Sequence, residues 1–190
     1  VADPVEGETY FLVCVDERGQ LVSVRQFVYA AAAVVDAATL GRYAARGLPL
    51  SYPAPSTAPP RVGTQLVGVR TWLWVDPADL VEVVGTAGVP GITVTARARP
   101  ESVSWDMGDG TDAVVCAGAG TAYDLNVADE DQSTDCAHGF TAAGTFEVTV
   151  SIRWHVTWTA TNGETGDLGV VPRGVTFPVT VRSLQAVITG

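Results

Sequence analysis

Lysine is absent from this chain. All eleven basic residues are arginine, set against twenty-one carboxylates, for a formal net charge of −10 over 190 residues. An acidic chain with no basic patch repels phosphates and has no counterions to displace, which excludes nucleic-acid binding. Long apolar runs are missing as well. The longest is the nine-residue stretch 27–35 (FVYAAAAVV), ended by Asp36. Spanning a bilayer takes about 20 residues, so no membrane span is expected within the chain. No basic segment leading into an apolar run opens the sequence, so no signal peptide is expected; an anchor upstream of Val1 stays open. Histidine occurs only at positions 138 and 155, and there is no Gly-x-Ser-x-Gly, His-Glu-x-x-His or phosphate-loop pattern. With these motifs missing, an enzyme is not expected. Heptads, low-complexity tracts and internal repeats are also absent.

What is present suffices for a folded core. Hydrophobic residues make up 47% of the chain and charged residues 17%, which separates it from disordered compositions. The acid is local. Residues 101–135 carry nine carboxylates and no arginine, leaving twelve acids against eleven arginines elsewhere.

Residues 9–15 (TYFLVCV) read as a strand, a turn with Gly19 follows, and residues 20–28 resume an apolar/polar pattern, which predicts a hairpin. Residues 29–46 hold eight alanines and predict a helix, with Gly41 a weak point and Gly47 a C-terminal stop. Residues 48–60 (LPLSYPAPSTAPP) contain five prolines and predict an extended linker. The expected organisation is therefore an N-terminal hairpin and helix over 1–47, a linker over 48–60 and a C-terminal β domain over 61–190. An N-terminal part of 47 residues is too small to be stable alone, so docking on a neighbour is expected.

Beyond the linker, residues 65–75 (QLVGVRTWLWV), 91–99 and 146–161 alternate in strand fashion; in the first both faces are apolar near the end, which predicts a strand covered on both sides. Residues 77–84 suit a short helix or turn. The last of the three alternating segments, FEVTVSIRWHVTWTAT, keeps strict period two for sixteen residues, with Trp154 and Trp158 on its apolar parity. Such length predicts a bulge or a projecting end. Val175, Phe177, Val179 and Val181 form a returning strand, and Pro178 on its outward parity marks an edge.

Cys116 and Cys136 bracket a loop rich in Gly, Asp and Ser. A disulfide there would contribute roughly 3 kcal/mol; two buried free thiols are the competing reading. Cys14, within an apolar run, reads as a buried thiol or a bond to another chain. Cys136 and His138 lack the second ligand pair a zinc site needs.

Residues 102–110 (SVSWDMGDG), followed some thirty residues later by residues 138–152 (HGFTAAGTFEVTVSI), resemble the two-part signature of the PKD (polycystic kidney disease repeat) domain, an immunoglobulin-like β-sandwich. Trp105, Asp106, Gly108, Asp109 and Gly110 match its first half, with Met107 where an aromatic is usual. His138, Phe140, Gly144, Phe146, Val148 and Val150 match its second. The resemblance covers about residues 91–160 and implies a mainly β fold of PKD/immunoglobulin type. It also implies an extracellular module that contacts protein or carbohydrate or spaces other domains. The chain is similar in this respect to secreted or envelope proteins of high-GC Gram-positive bacteria.

Asp106, Asp109 and Asp112 are calcium candidates because carboxylates at short spacing suit a hard cation; turn stabilisation is the competing reading. Otherwise no cofactor is expected. Trp72 and Trp74 share one strand parity and are the candidate binding surface, with burial beneath the N-terminal segment as the competing reading. The expected function is a non-catalytic structural or interaction module, outside the cell or on its envelope. Its partner would be a protein or further copies of itself, and a carbohydrate-binding module acting on cell-surface glycan is the alternative.

Overall fold

The computed structural model describes residues 7–15, 18–28 and 35–183. Two compact units emerge, divided between residues 36 and 37. In the first, strands β1 (Thr9–Val15) and β2 (Leu21–Val28) pair antiparallel, with Thr9 opposite Val28 and a register shift between Cys14 and Val15. This is the expected hairpin. Residues 29–34, part of the expected helix, and the Cys14 side chain lie outside what is described.

The second unit is mainly β and sandwich-like, and begins earlier than its sequence boundary at 61. Helix α1 (Ala37–Arg46) is its first element; residues 35 and 36 before it are not helical, so the expected helix does not run unbroken over 29–46. Asp36 suits a helix N-terminus. Ala37, Leu40, Gly41 and Ala44 form its buried stripe, one face at helical spacing. Gly41 is there for close packing. A Cβ on it would sit 2.6 Å from Cγ of Trp158.

The proline-rich segment is part of the fold rather than a spacer. Its residues Pro55–Ala58 form β3. Leu48 and Leu50 are buried, and the Ala54 N–H donates to the Asp79 carboxylate at 2.7 Å. A buried polar knot fixes the end of the segment. Gln65 Nε2 donates to the Pro59 and Pro60 carbonyls, and the Thr71 hydroxyl donates to Gln65 Oε1. Gln65 is fully buried, and these bonds satisfy a group whose burial would otherwise be costly.

Strands β4 (Thr64–Leu66), β5 (Arg70–Val75), β6 (Val83–Val89), β7 (Ile92–Asp106), β8 (Val114–Cys116), β9 (Ala137–Gly139), β10 (Gly144–Ala160) and β11 (Thr165–Arg182) complete the unit. They make two sheets. One runs β4-β11-β10-β7-β6, with β8 also on β7; the other is β3-β5-β9. A 3-10 turn at Pro77–Leu80 is started by Asp76, whose side chain accepts from the Ala78 N–H.

Strand β10 is the spine of the larger sheet. Its apolar parity, from Val148 to Trp158, is buried. The expected bulge appears twice, between Arg153 and Trp154 against β7 and between Val156 and Thr157 against β11. At the first, Trp154 faces Pro100 and Arg153 faces Ser102, so Glu101 is the extra residue. Pro100 is tolerated in this interior strand because β6 covers only residues 92–98 of β7 and β8 only 103–105. Pro178 lies where β11 has no second partner, since β4 pairs only with Thr180, Val181 and Arg182. That is the edge position its ring requires.

The smaller sheet meets β10 near its start, where the rings of Phe140 and Phe146 stack at 5.2 Å. Helix α1 covers the other end of the same apolar face, over Trp158.

Candidate functional site: an aromatic groove under a tethered loop

Alternation along β5 decides which of its side chains face out. Thr71, Leu73 and Val75 are buried, whereas Arg70, Trp72 and Trp74 point to the other face and keep part of their surface exposed. The neighbours of the two indoles are small. Trp72 lies between Ala58 on β3 and Ala137 on β9, and Trp74 lies beside Ser56. Small residues flanking two large rings leave the indole faces open to a ligand.

Residues 117–135 form one wall of this face. Cys116 ends β8 in the larger sheet and Cys136 immediately precedes β9 in the smaller one. Their disulfide, with Cα atoms 5.6 Å apart, joins the two sheets and holds both ends of the loop. The loop then follows β5. The Val75 N–H donates to the Ala119 carbonyl at 2.8 Å and the Leu73 N–H to the Cys136 carbonyl at 2.9 Å. Gly120, with φ +79°, passes so close to the Leu73 carbonyl and the Trp74 backbone that a side chain would collide with them.

The loop is internally ordered. Gln132 Nε2 donates to the carbonyls of Asp124 and Val127, and its Oε1 accepts from the Asp124 N–H. Asn126 donates to the Asp124 carboxylate through its backbone and its side chain, and these bonds hold that carboxyl below its ordinary range. The result places Tyr123 edge-on to Trp72, with ring centroids 5.2 Å apart at 86°. The Tyr123 hydroxyl donates to the Asp129 carboxylate, which raises the phenol above its ordinary pKa.

Between the loop and the sheet lies a cavity of about 650 Å³, walled by Ala58, Pro59, Trp72, Trp74 and Tyr123, with Arg70 and Asp129 at its polar margin. Large aromatic walls with a few polar groups are the composition of a ligand site. Arg70 is held by donation to the Thr134 carbonyl at 3.0 Å.

Two of the three aspartates singled out in the sequence hold turns. Asp106 accepts from the Gly108 N–H at 2.9 Å. Asp109 accepts from the Thr111 N–H and hydroxyl, and its other oxygen lies 2.8 Å from His138 Nε2. Burial pushes the Asp109 carboxyl up, but the Thr111 and His138 bonds outweigh it and its pKa is lowered. Asp112 is exposed. Among the described residues no three His, Cys, Asp or Glu side chains come together as a metal site. The calcium candidates are therefore not brought to one point.

His155, on the outward parity of β10, is clamped. Its Nε2 lies 2.9 Å from Asp167 and its Nδ1 3.1 Å from the bulged Glu101. The Asp167 bond, with added attraction from both carboxylates, outweighs desolvation and raises the imidazole pKa.

Trp72 and Trp74 are the two groove residues that strand parity singles out. Arg70 shares their parity on β5 but, as a charged strand end, gave no aromatic signal; Tyr123, Asp129 and Pro59 escaped that reading, because only the disulfide and the sheet pairing bring them to β5. Comparison with protein-family models, curated proteins and solved structures finds no match to this chain.

Proposed function

We propose that this chain is a non-catalytic interaction module of PKD-like type that works outside the cell or on its envelope. The observation that carries this reading is the groove over Trp72 and Trp74, an aromatic face left open beside a loop that the Cys116–Cys136 disulfide holds in place. Partly exposed tryptophans next to an arginine are the side chains that concentrate binding energy at interfaces. The polar groups nearby are engaged in structure: the Thr57 hydroxyl donates to the Pro59 carbonyl and Asp129 accepts from Tyr123. The disulfide supports an oxidising compartment. The Asp109–His138 bond, the Trp105 plug and the long strand β10 support the PKD-like reading, since they give structural roles to the residues that carry the resemblance.

A second reading is favoured by the same groove. Aromatic faces suit a sugar, whose apolar faces stack and whose hydroxyls need polar partners; Arg70 and Asp129 are exposed and each uses only one atom in its bond to Thr134 or Tyr123. The two readings separate on binding of the intact chain to cell-envelope material treated with protease or stripped of glycan. Loss of binding after proteolysis supports the protein partner, and loss after glycan removal supports the sugar. Binding unchanged in W72A/W74A would contradict both.

A further inference from the structure

A second cleft, on the opposite chemical footing, lies in the same unit. Leu50, Val156, Leu168 and Val171 floor a hollow of about 360 Å³. Arg42 and Arg46, one helical turn apart on α1, and Arg173 on β11 stand around it. Arg42 donates to the Thr39 hydroxyl and Arg173 to the Pro172 carbonyl. Among the described residues none of the three has a carboxylate within ion-pair distance, whereas Arg97 and Arg99 share Glu82. Three cations around an apolar floor repel one another and attract an anion that also carries an apolar group.

The chain itself presents such a group. The 3-10 turn Asp129–Asp131 sets three exposed carboxylates in a row. Four residues before it, Leu125 is 90% exposed at the rim of the aromatic groove, which it also lines. An apolar knob among acids matches an apolar hollow among arginines in both charge and hydropathy. Within one chain the two do not pair, since no ion pair joins them.

We propose that the arginine-rimmed cleft between α1 and the β10–β11 hairpin receives the Leu125–acidic tip of the 117–135 loop from a second copy of this chain. Leu125 enters the apolar floor, and Glu130 and Asp131, which leave the Tyr123–Asp129 bond in place, pair with the arginines Arg42, Arg46 and Arg173 through charge-assisted hydrogen bonds. Cleft and tip are different patches, so the contact is heterologous. It closes as a reciprocal pair where geometry allows and otherwise propagates from copy to copy. The proposal does not require a ligand in the aromatic groove.

The test is the mass of the intact chain in solution, read by light scattering across concentration at about 50 mM and about 500 mM salt, a range over which charge attraction is strongly screened. Association that weakens with salt is expected. R42E/R46E and L125D should each raise the dissociation constant by about tenfold or more, as loss of a charge-paired or apolar anchor does. Mixing those two variants should restore one intact cleft facing one intact tip and give a pair that stops at two copies, which also shows that both variants are folded. A chain that is monomeric at every concentration, association indifferent to R42E/R46E, or failure of the mixed pair would each overturn the proposal.

Discussion

The ring of Tyr123 stands edge-on to the indole of Trp72, 5.2 Å between centroids, although fifty-one positions separate them in the chain. Aromatic pairs in this geometry are worth about 0.5–1.5 kcal/mol beyond their buried area. Here the pair also sets the distance between loop and sheet. The groove therefore depends on whatever keeps the loop in place, and its covalent tether is the disulfide.

Removing that tether should cost both stability and shape. C116S/C136S is expected to lose about 3 kcal/mol of unfolding free energy, the loop-closure value for a ring of this size. Urea unfolding of the parent and the variant checks this. In the native parent Cys116 and Cys136 should resist alkylation until a reductant is added. If both react freely beforehand, the tether does not exist in the folded protein.

Gly41 and Trp158 yield a prediction whose sign opposes the usual rule. Alanine in a helix is ordinarily better than glycine by about 1 kcal/mol. At this position the added methyl would lie 2.6 Å from the Trp158 ring, and overpacking costs typically about 1–3 kcal/mol. G41A should therefore destabilise, read as a lower thermal midpoint. A stabilised G41A would place α1 somewhere other than over Trp158.

Two carboxylate–imidazole pairs give stability opposite dependences on pH. The His155 pKa is raised on folding, so its contribution is complete below the unfolded value of 6.5 and disappears as pH rises through the raised folded value. The Asp109 pKa is lowered, so its contribution is present above 3.8 and is lost as pH falls through the lower folded value. H155Q should differ from the parent mainly on the acid side of neutrality and converge with it at alkaline pH. D109N should converge with the parent only in strong acid. Unfolding free energies across pH test both; an H155Q difference that grows toward alkaline pH would contradict the clamp by Asp167 and Glu101.

Much of the β architecture was legible in period-two alternation. That pattern located β10, its return strand and the shared parity of Trp72 and Trp74, because each is a local consequence of the pleat; which face of β5 stays partly open was not in it, since both are apolar. Proline content misdirected the reading of residues 48–60. Five prolines exclude a central strand, yet they allow an edge strand such as β3, and the buried Gln65 that ties the segment down gives no sign of burial in the sequence. The alanine-rich stretch gives no sign of the break that the non-helical residues 35 and 36 make before α1. The second wall of the groove was not legible, since Tyr123 and Asp129 sit in a stretch with no periodicity. Gln132, the residue that organises that stretch, looks like any polar loop residue. For His155, the bulge at Glu101 brings a carboxylate to Nδ1 through a register shift that alternation alone does not locate.

The most direct test of the groove as the binding face is amide hydrogen exchange of the intact chain with and without bound cell-envelope material. Binding should slow exchange across residues 120–129 and leave β6 and the β10–β11 hairpin as they are in the free chain. Slowing confined to those strands, with residues 120–129 unchanged, would contradict it.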